Sequence, residues 1–167
     1  MFGRKKKEKI NDQAWLLLQD CGDIINCFME NTSCAEYLNE HPAKSLKGIL
    51  NLVGICIYYV AGMNKAEVAT QMVEYYADMV GRYDDDINPE RITPEEAKRM
   101  INGYYQGAKG IAELLMDDGV TAISFIACDH AKAIFDNMCA TPTEEDISIV
   151  TALLVDFYSS TYSKYYG

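Results

Sequence analysis

Residues 93–116 read TPEEAKRMINGYYQGAKGIAELLM, and this stretch decides the fold class. Thr93 followed three residues later by Glu96 is a capping box, and Pro94 sits at the first helical position, where its missing N–H costs nothing. From there Ala97, Ile101, Tyr104, Ala108, Ile111 and Leu115 recur at spacings of three and four, which turns one helix face inward. Lys98, Arg99, Asn102, Gln106, Lys109 and Glu113 fill a polar arc. The pattern predicts an amphipathic helix that stops near Asp118-Gly119. Gly103, Gly107 and Gly110 cluster on its flank, beside Met100 and Leu114. An interior glycine costs a helix about 1 kcal/mol relative to alanine. Three on one flank therefore imply close approach of something: a crossing helix of the same chain, a partner or a ligand.

The same signals recur on both sides. Asn11 precedes an apolar-periodic run to about Glu30, with Ala14, Leu18, Cys21, Ile25 and Phe28 on one face. Ser33-Cys-Ala-Glu36 caps a short helix that His41-Pro42 ends. Gly48 to Met63, GILNLVGICIYYVAGM, is 16 residues, shorter than the roughly 20 that span a bilayer, and it contains Asn51. It predicts a buried central helix from about Ser45 to Gly62 and no transmembrane span. Asn64-Lys-Ala-Glu67 opens the next helix, with Val68, Met72, Tyr75, Met79 and Tyr83 inward. A helix from about Val120 to Cys139 carries Ile123, Ile126, Ala127, Ile134 and Met138 on one stripe. Thr141-Pro142-Thr143-Glu144 opens the last, built on Ile147, Val150, Leu154 and Phe157.

No strand-like alternation bounded by hairpin turns occurs. The expectation is an all-α fold, a compact bundle of about six main helices plus one short helix. It forms a single domain over residues 11–167, preceded by a basic flexible arm over residues 1–10. Ser45, Thr93 and Thr141 start helices 48 residues apart, but the segments share little else and are not read as repeats.

Charge narrows the function classes. Residues 1–9 hold five basic side chains against Glu8, a charge of +4, and the remaining 158 residues hold ten basic against 24 acidic, a charge of −14. A body this acidic repels phosphate backbones, so no specific nucleic-acid surface is expected. Residues 1–9 are the segment suited to a weak contact with an anionic surface. The six cysteines (Cys21, Cys27, Cys34, Cys56, Cys128, Cys139) form no CxxC pair, and most lie among apolar neighbours. The basic start runs into Asn11-Asp12-Gln13 rather than the apolar core of a secretory leader. Reduced thiols in a cytoplasmic protein are the expectation.

Candidate chemistry is sparse. Neither His41 nor His130 has a glutamate three residues before it, which removes the di-iron bundle pattern, and two histidines without a cysteine cluster make no zinc site. Cys128 and His130, two apart on a helix, diverge by about 200° and cannot act as nucleophile and base together. His130 instead shares the apolar stripe of its helix. Asp84-Asp85-Asp86-Ile87-Asn88, with Glu95 at the twelfth position, resembles a calcium loop, but Pro89 and Arg91 stand where glycine and an apolar residue belong. No metal and no cofactor are expected, and no catalytic residue is assigned. Four tyrosine pairs (Tyr58-Tyr59, Tyr75-Tyr76, Tyr104-Tyr105, Tyr165-Tyr166) have rings about 100° apart on a helix, an arrangement that often turns one inward and one towards a rim. Rim rings suit a protein interface, and core packing would use such rings equally well. The reading that follows is an acidic adaptor module that binds a protein partner through Gly103, Gly107, Tyr104, Tyr105 and His130. The alternative is a small-molecule-binding protein or enzyme with an interhelical pocket near His130.

Overall fold

A computed structural model of the chain describes residues 2–31, 40–62, 65–117, 123–138 and 141–165. Six helices and no strand run through these residues: α1 (Phe2–Asn31), α2 (Pro42–Ile57), α3 (Ala66–Val80), α4 (Pro94–Asp117), α5 (Ile123–Asn137) and α6 (Glu144–Tyr165). The all-α bundle is as expected; the short helix read from Ser33 lies outside the described residues.

The apolar run of α2 has no polar face to offer water, so it becomes the centre. A π-helical turn, Tyr58–Gly62, continues it, and the two together pack against all five other helices. Pro42–Gly62 is long and apolar enough to cross a membrane by length and composition, with a mean hydropathy of 1.4, yet 78% of that window is buried inside the bundle. The helix opens at Pro42 rather than Ser45, because proline's fixed φ suits the first turn. Ser45 is one turn in, its hydroxyl donating to the His41 carbonyl at 2.8 Å.

Two capping boxes set helix entrances. At α4 the Thr93 N–H donates to Glu96 Oε2 (3.1 Å) and the Glu96 N–H to Thr93 Oγ1 (3.2 Å), as the sequence predicts. At α6 the box is two residues later than expected: the Thr143 N–H donates to Asp146 Oδ2 (2.8 Å) and the Asp146 N–H to Thr143 Oγ1 (3.1 Å). The even spacing of helix starts disappears with this shift and that of α2.

One boundary and two buried faces correct the sequence reading for different reasons. Helix α1 begins at Phe2, so Asn11 is an interior residue rather than a cap, and the basic stretch expected as a flexible arm forms the first turns of the helix. Lys and Glu are good helix formers, Arg4 pairs with Glu8 one turn on at 3.2 Å, and Lys6 reaches Glu67 of α3 at 3.5 Å. Gly3 to Lys9 remain exposed on every side. On α3 the buried stripe is Val68, Ala69, Met72, Val73, Tyr76, Ala77 and Val80; Tyr75, Met79 and Tyr83 stand half-buried at its edge. On α6, Tyr158 rather than Phe157 is the deeply buried ring.

The tightest crossing is between α2 and α4, at Gly54. A Cβ there would lie 2.8 Å from the Tyr105 nitrogen and 2.9 Å from Tyr104 Cβ. The backbone approach that the sequence suggests for the glycine flank of α4 is thus supplied by a glycine of α2.

Candidate functional site

His130 stands at the meeting point of four elements and is fully buried. Its Nε2 lies 3.1 Å from the carbonyl of Ala108 on α4, which only accepts, so Nε2 carries the proton and donates. Nδ1 is therefore an acceptor, and the Tyr158 hydroxyl, 2.7 Å away, donates to it. Burial lowers the imidazole pKa to about 4, against smaller opposing contributions from the Ala108 bond and the Asp129 charge. Tyr59, on the π turn, stacks on Tyr158 with centroids 3.7 Å apart and planes 10° from parallel. Burial raises the pKa values of both phenols. Chemically this is a neutral, satisfied core centre. Cys128 is only half-buried while His130 is fully so, in keeping with their divergence around the helix.

Beside this centre opens a cleft of about 110 Å³, walled by Gly103, Tyr104, Gly107, Ala108 and Ile111 of α4, Asn51 and Ile55 of α2, and His130, Ala133 and Asn137 of α5. Four of the five binding residues read from the sequence thus converge: Gly103, Gly107, Tyr104 and His130. Tyr105 does not join them. Its ring turns to the other side, edge-on to Tyr58 at 5.9 Å, and its hydroxyl donates to the Gly62 carbonyl at 3.3 Å.

Among the described residues no helix crosses the glycine flank. A Cβ built at Gly103, Gly107 or Gly110 meets nothing within 4 Å. The stripe continues at helical spacing to Leu114, which is 63% exposed. Asn51, which the sequence reading uses only as a point against a membrane span, is 4% exposed and walls the cleft. Its side chain makes no hydrogen bond among the described residues. His130, by contrast, has no ring nitrogen left for a ligand.

The acidic loop between α3 and α4 is occupied by its own hydrogen bonds. Asp84 Oδ1 accepts the N–H groups of Asp86 (3.2 Å) and Ile87 (3.3 Å), and Arg91 grips both oxygens of Asp85 at 3.3 Å. Arg91 itself takes a left-handed φ of 51°. Buried Asn88 is the pin: Oδ1 accepts the Ile92 N–H (2.9 Å), while Nδ2 donates to the carbonyls of Ile92 (3.0 Å) and Val80 (3.4 Å). No group of three or more His, Cys, Asp or Glu among the described residues is placed to hold a metal ion. Replacing Asn88 with Ala is expected to destabilise the fold by about 2 kcal/mol, because a buried N–H and two carbonyls lose their partner. Urea unfolding checks this; a loss below about 0.5 kcal/mol would show that the loop is pinned elsewhere.

Among the described cysteines none is disulfide-bonded: Cys21 and Cys56 are buried, Cys128 is half-buried and Cys27 is exposed. Cys56 and Cys21 form a buried hydrogen-bonded pair, and burial pushes the Cys56 thiol pKa well up, which makes it a poor nucleophile.

A second, larger cleft of about 460 Å³ was not legible in the sequence. It lies between α1, α2 and α3, with Trp15 and Ile87 at its margin. Its signal was present in exposed Trp15 and in the tyrosine and methionine positions of α3, which periodicity alone assigns to the core. No family model, curated protein or solved structure matches this chain.

Proposed function

We propose that this protein is a cytoplasmic adaptor domain that binds a protein partner across the Gly103–Gly107–Gly110 face of α4. The observation that supports it is the empty space above those three glycines. They weaken the helix by about 1 kcal/mol each, and no described residue packs into the space they leave. A glycine face lets another backbone come close, and the adjoining cleft offers the unengaged amide of Asn51 as a hydrogen-bonding anchor at its wall. A small ligand hydrogen-bonding to Asn51 is the second reading.

Gly103→Ala and Gly107→Ala are each expected to stabilise the isolated domain by about 1 kcal/mol, through helix propensity and a less flexible unfolded chain. Denaturant melts check this, and destabilisation of either variant would mean that a packed neighbour lies over the flank. Gly107→Lys is expected to keep the fold and abolish retention of the protein that wild type captures from host extract. If Gly107→Lys retains that protein fully, the face is not the docking surface. If mass spectrometry finds a small molecule on wild type that is absent from Asn51→Leu, the second reading holds.

A further inference from the structure

We propose that the cleft between α1, α2 and α3 is a second docking site, which takes a basic amphipathic helix of another protein. It shares no residue with the glycine-side cleft and stands independently of that reading.

The floor and walls are apolar: Trp15 and Ile25 of α1, Ile49 of α2, Met79 of α3, and Tyr83 and Ile87 beyond it. Trp15 is 53% exposed and Ile87 48% exposed, so two large side chains stand in water at its margin with edges unburied. Trp15 is held in place by an edge-on contact with Tyr75, centroids 6.0 Å apart. Gly22 sits midway along the α1 wall with nothing within 4 Å of where a Cβ would stand. Like Gly103, Gly107 and Gly110, it is a helical glycine whose open side no described residue fills. From Trp15 to Asn26 the wall runs about 16 Å, room for roughly three turns of a docked helix with anchors at i, i+3/i+4 and i+7.

Charge selects the occupant. Residues 10–31 contain no lysine or arginine. Asp12, Asp23 and Glu30 fall on one exposed ridge of α1 with Gln19 and Asn26, which wall the cleft. Across the opening, Tyr83 and Ile87 bracket Asp84, Asp85 and Asp86. Arg91 and Asp85 cancel each other, as do Lys47 and Glu90 at 3.9 Å, so this margin keeps Asp84 and Asp86 against Arg82. An apolar trough between two acidic margins complements a helix with an apolar stripe flanked by lysine or arginine.

Trp15 is the single tryptophan of the chain, so its emission reports the site in the unmodified protein. The probe is a tryptophan-free amphipathic helix of leucine and lysine; the control is the same peptide with glutamate for lysine. The lysine peptide should shift Trp15 emission to the blue, saturably, with affinity that falls as salt rises, and bind at least tenfold more tightly than the glutamate peptide. Gly22→Met and Ile87→Lys change positions whose side chains or missing side chains face the opening, and each should keep the fold and weaken binding about tenfold or more. Gly107→Lys should bind the peptide as wild type does. Equal responses to both peptides would overturn the proposal, as would undiminished binding by Gly22→Met and Ile87→Lys. So would a concentration-dependent dimer in sedimentation whose Trp15 emission is already blue and unmoved by peptide, since a second copy would then cover the cleft.

Discussion

Gly54→Ala is expected to destabilise the fold by about 3 kcal/mol, near the upper end of what overpacking usually costs. A methyl at this position meets the Tyr105 nitrogen at 2.8 Å, the Tyr104 carbonyl carbon at 3.0 Å and Tyr104 Cβ at 2.9 Å. Two of these atoms are backbone, so the clash cannot be relieved by turning a side chain. The helices must separate, and separation opens gaps on either side of the crossing. The sign is opposite to that expected of Gly103→Ala and Gly107→Ala on the partner helix, which makes the three variants a matched set. Helix propensity would favour alanine at all three positions; only packing distinguishes them. Thermal or urea unfolding checks the result, and a neutral or stabilised Gly54→Ala protein would mean that α2 and α4 cross less closely than described.

The second large effect is a dependence of stability on acid. His130 has its pKa lowered from 6.5 in the unfolded chain to about 4 in the fold. Between those values the unfolded chain binds a proton that the folded one does not, so stability rises with pH through the window. The neutral imidazole's contribution is fully present above pH 6.5 and lost as pH falls towards 4, a change of about 3 kcal/mol at most. His130→Gln retains a donor for the Ala108 carbonyl and an acceptor for the Tyr158 hydroxyl but cannot titrate. The difference in unfolding free energy between wild type and His130→Gln should therefore shift in favour of the variant as pH drops from 7 to 4.5. Tyr158→Phe should cost about 2 kcal/mol at pH 7, by leaving the buried Nδ1 without its donor. In the proton spectrum, the His130 imidazole should remain neutral down to about pH 4. Titration of His130 near 6.5 would show that it is hydrated rather than sealed.

What could be read in the sequence was what is local. The Thr93–Glu96 box closes over four residues, and its two hydrogen bonds form as the pattern predicts. The α1 stripe of Ala14, Leu18, Cys21, Ile25 and Phe28 is buried throughout, because a helix with one apolar face has one way to hide it. Ambiguity entered where two neighbouring rings compete for one position. Phe157 and Tyr158 both continue the α6 periodicity, and the choice falls to Tyr158 because His130, 28 residues away, accepts its hydroxyl. The α3 stripe was read too deep at Tyr75, Met79 and Tyr83 for a related reason: all three pack against the core from its edge, half-buried, and Met79 and Tyr83 also border an open cleft. Gly54 illustrates the limit most sharply. Its meaning depends on a backbone fifty positions on in the chain, whereas the glycines of α4, which attract attention as a cluster, have no described neighbour where a Cβ would stand.

The central claim, that the glycine face of α4 is left open for a partner, is tested most directly by photo-crosslinking from that face. A photoreactive side chain introduced at Gly107, where a Cβ has no neighbour within 4 Å, samples whatever approaches the flank. The same group at Asp156, on the exposed side of α6, serves as the reference. The account predicts a discrete cross-linked protein species in host extract from position 107, absent from position 156 and competed away by unlabelled wild type but not by the Gly107→Lys protein. Cross-links that are equal from the two positions, or that form mainly within the chain, would contradict it.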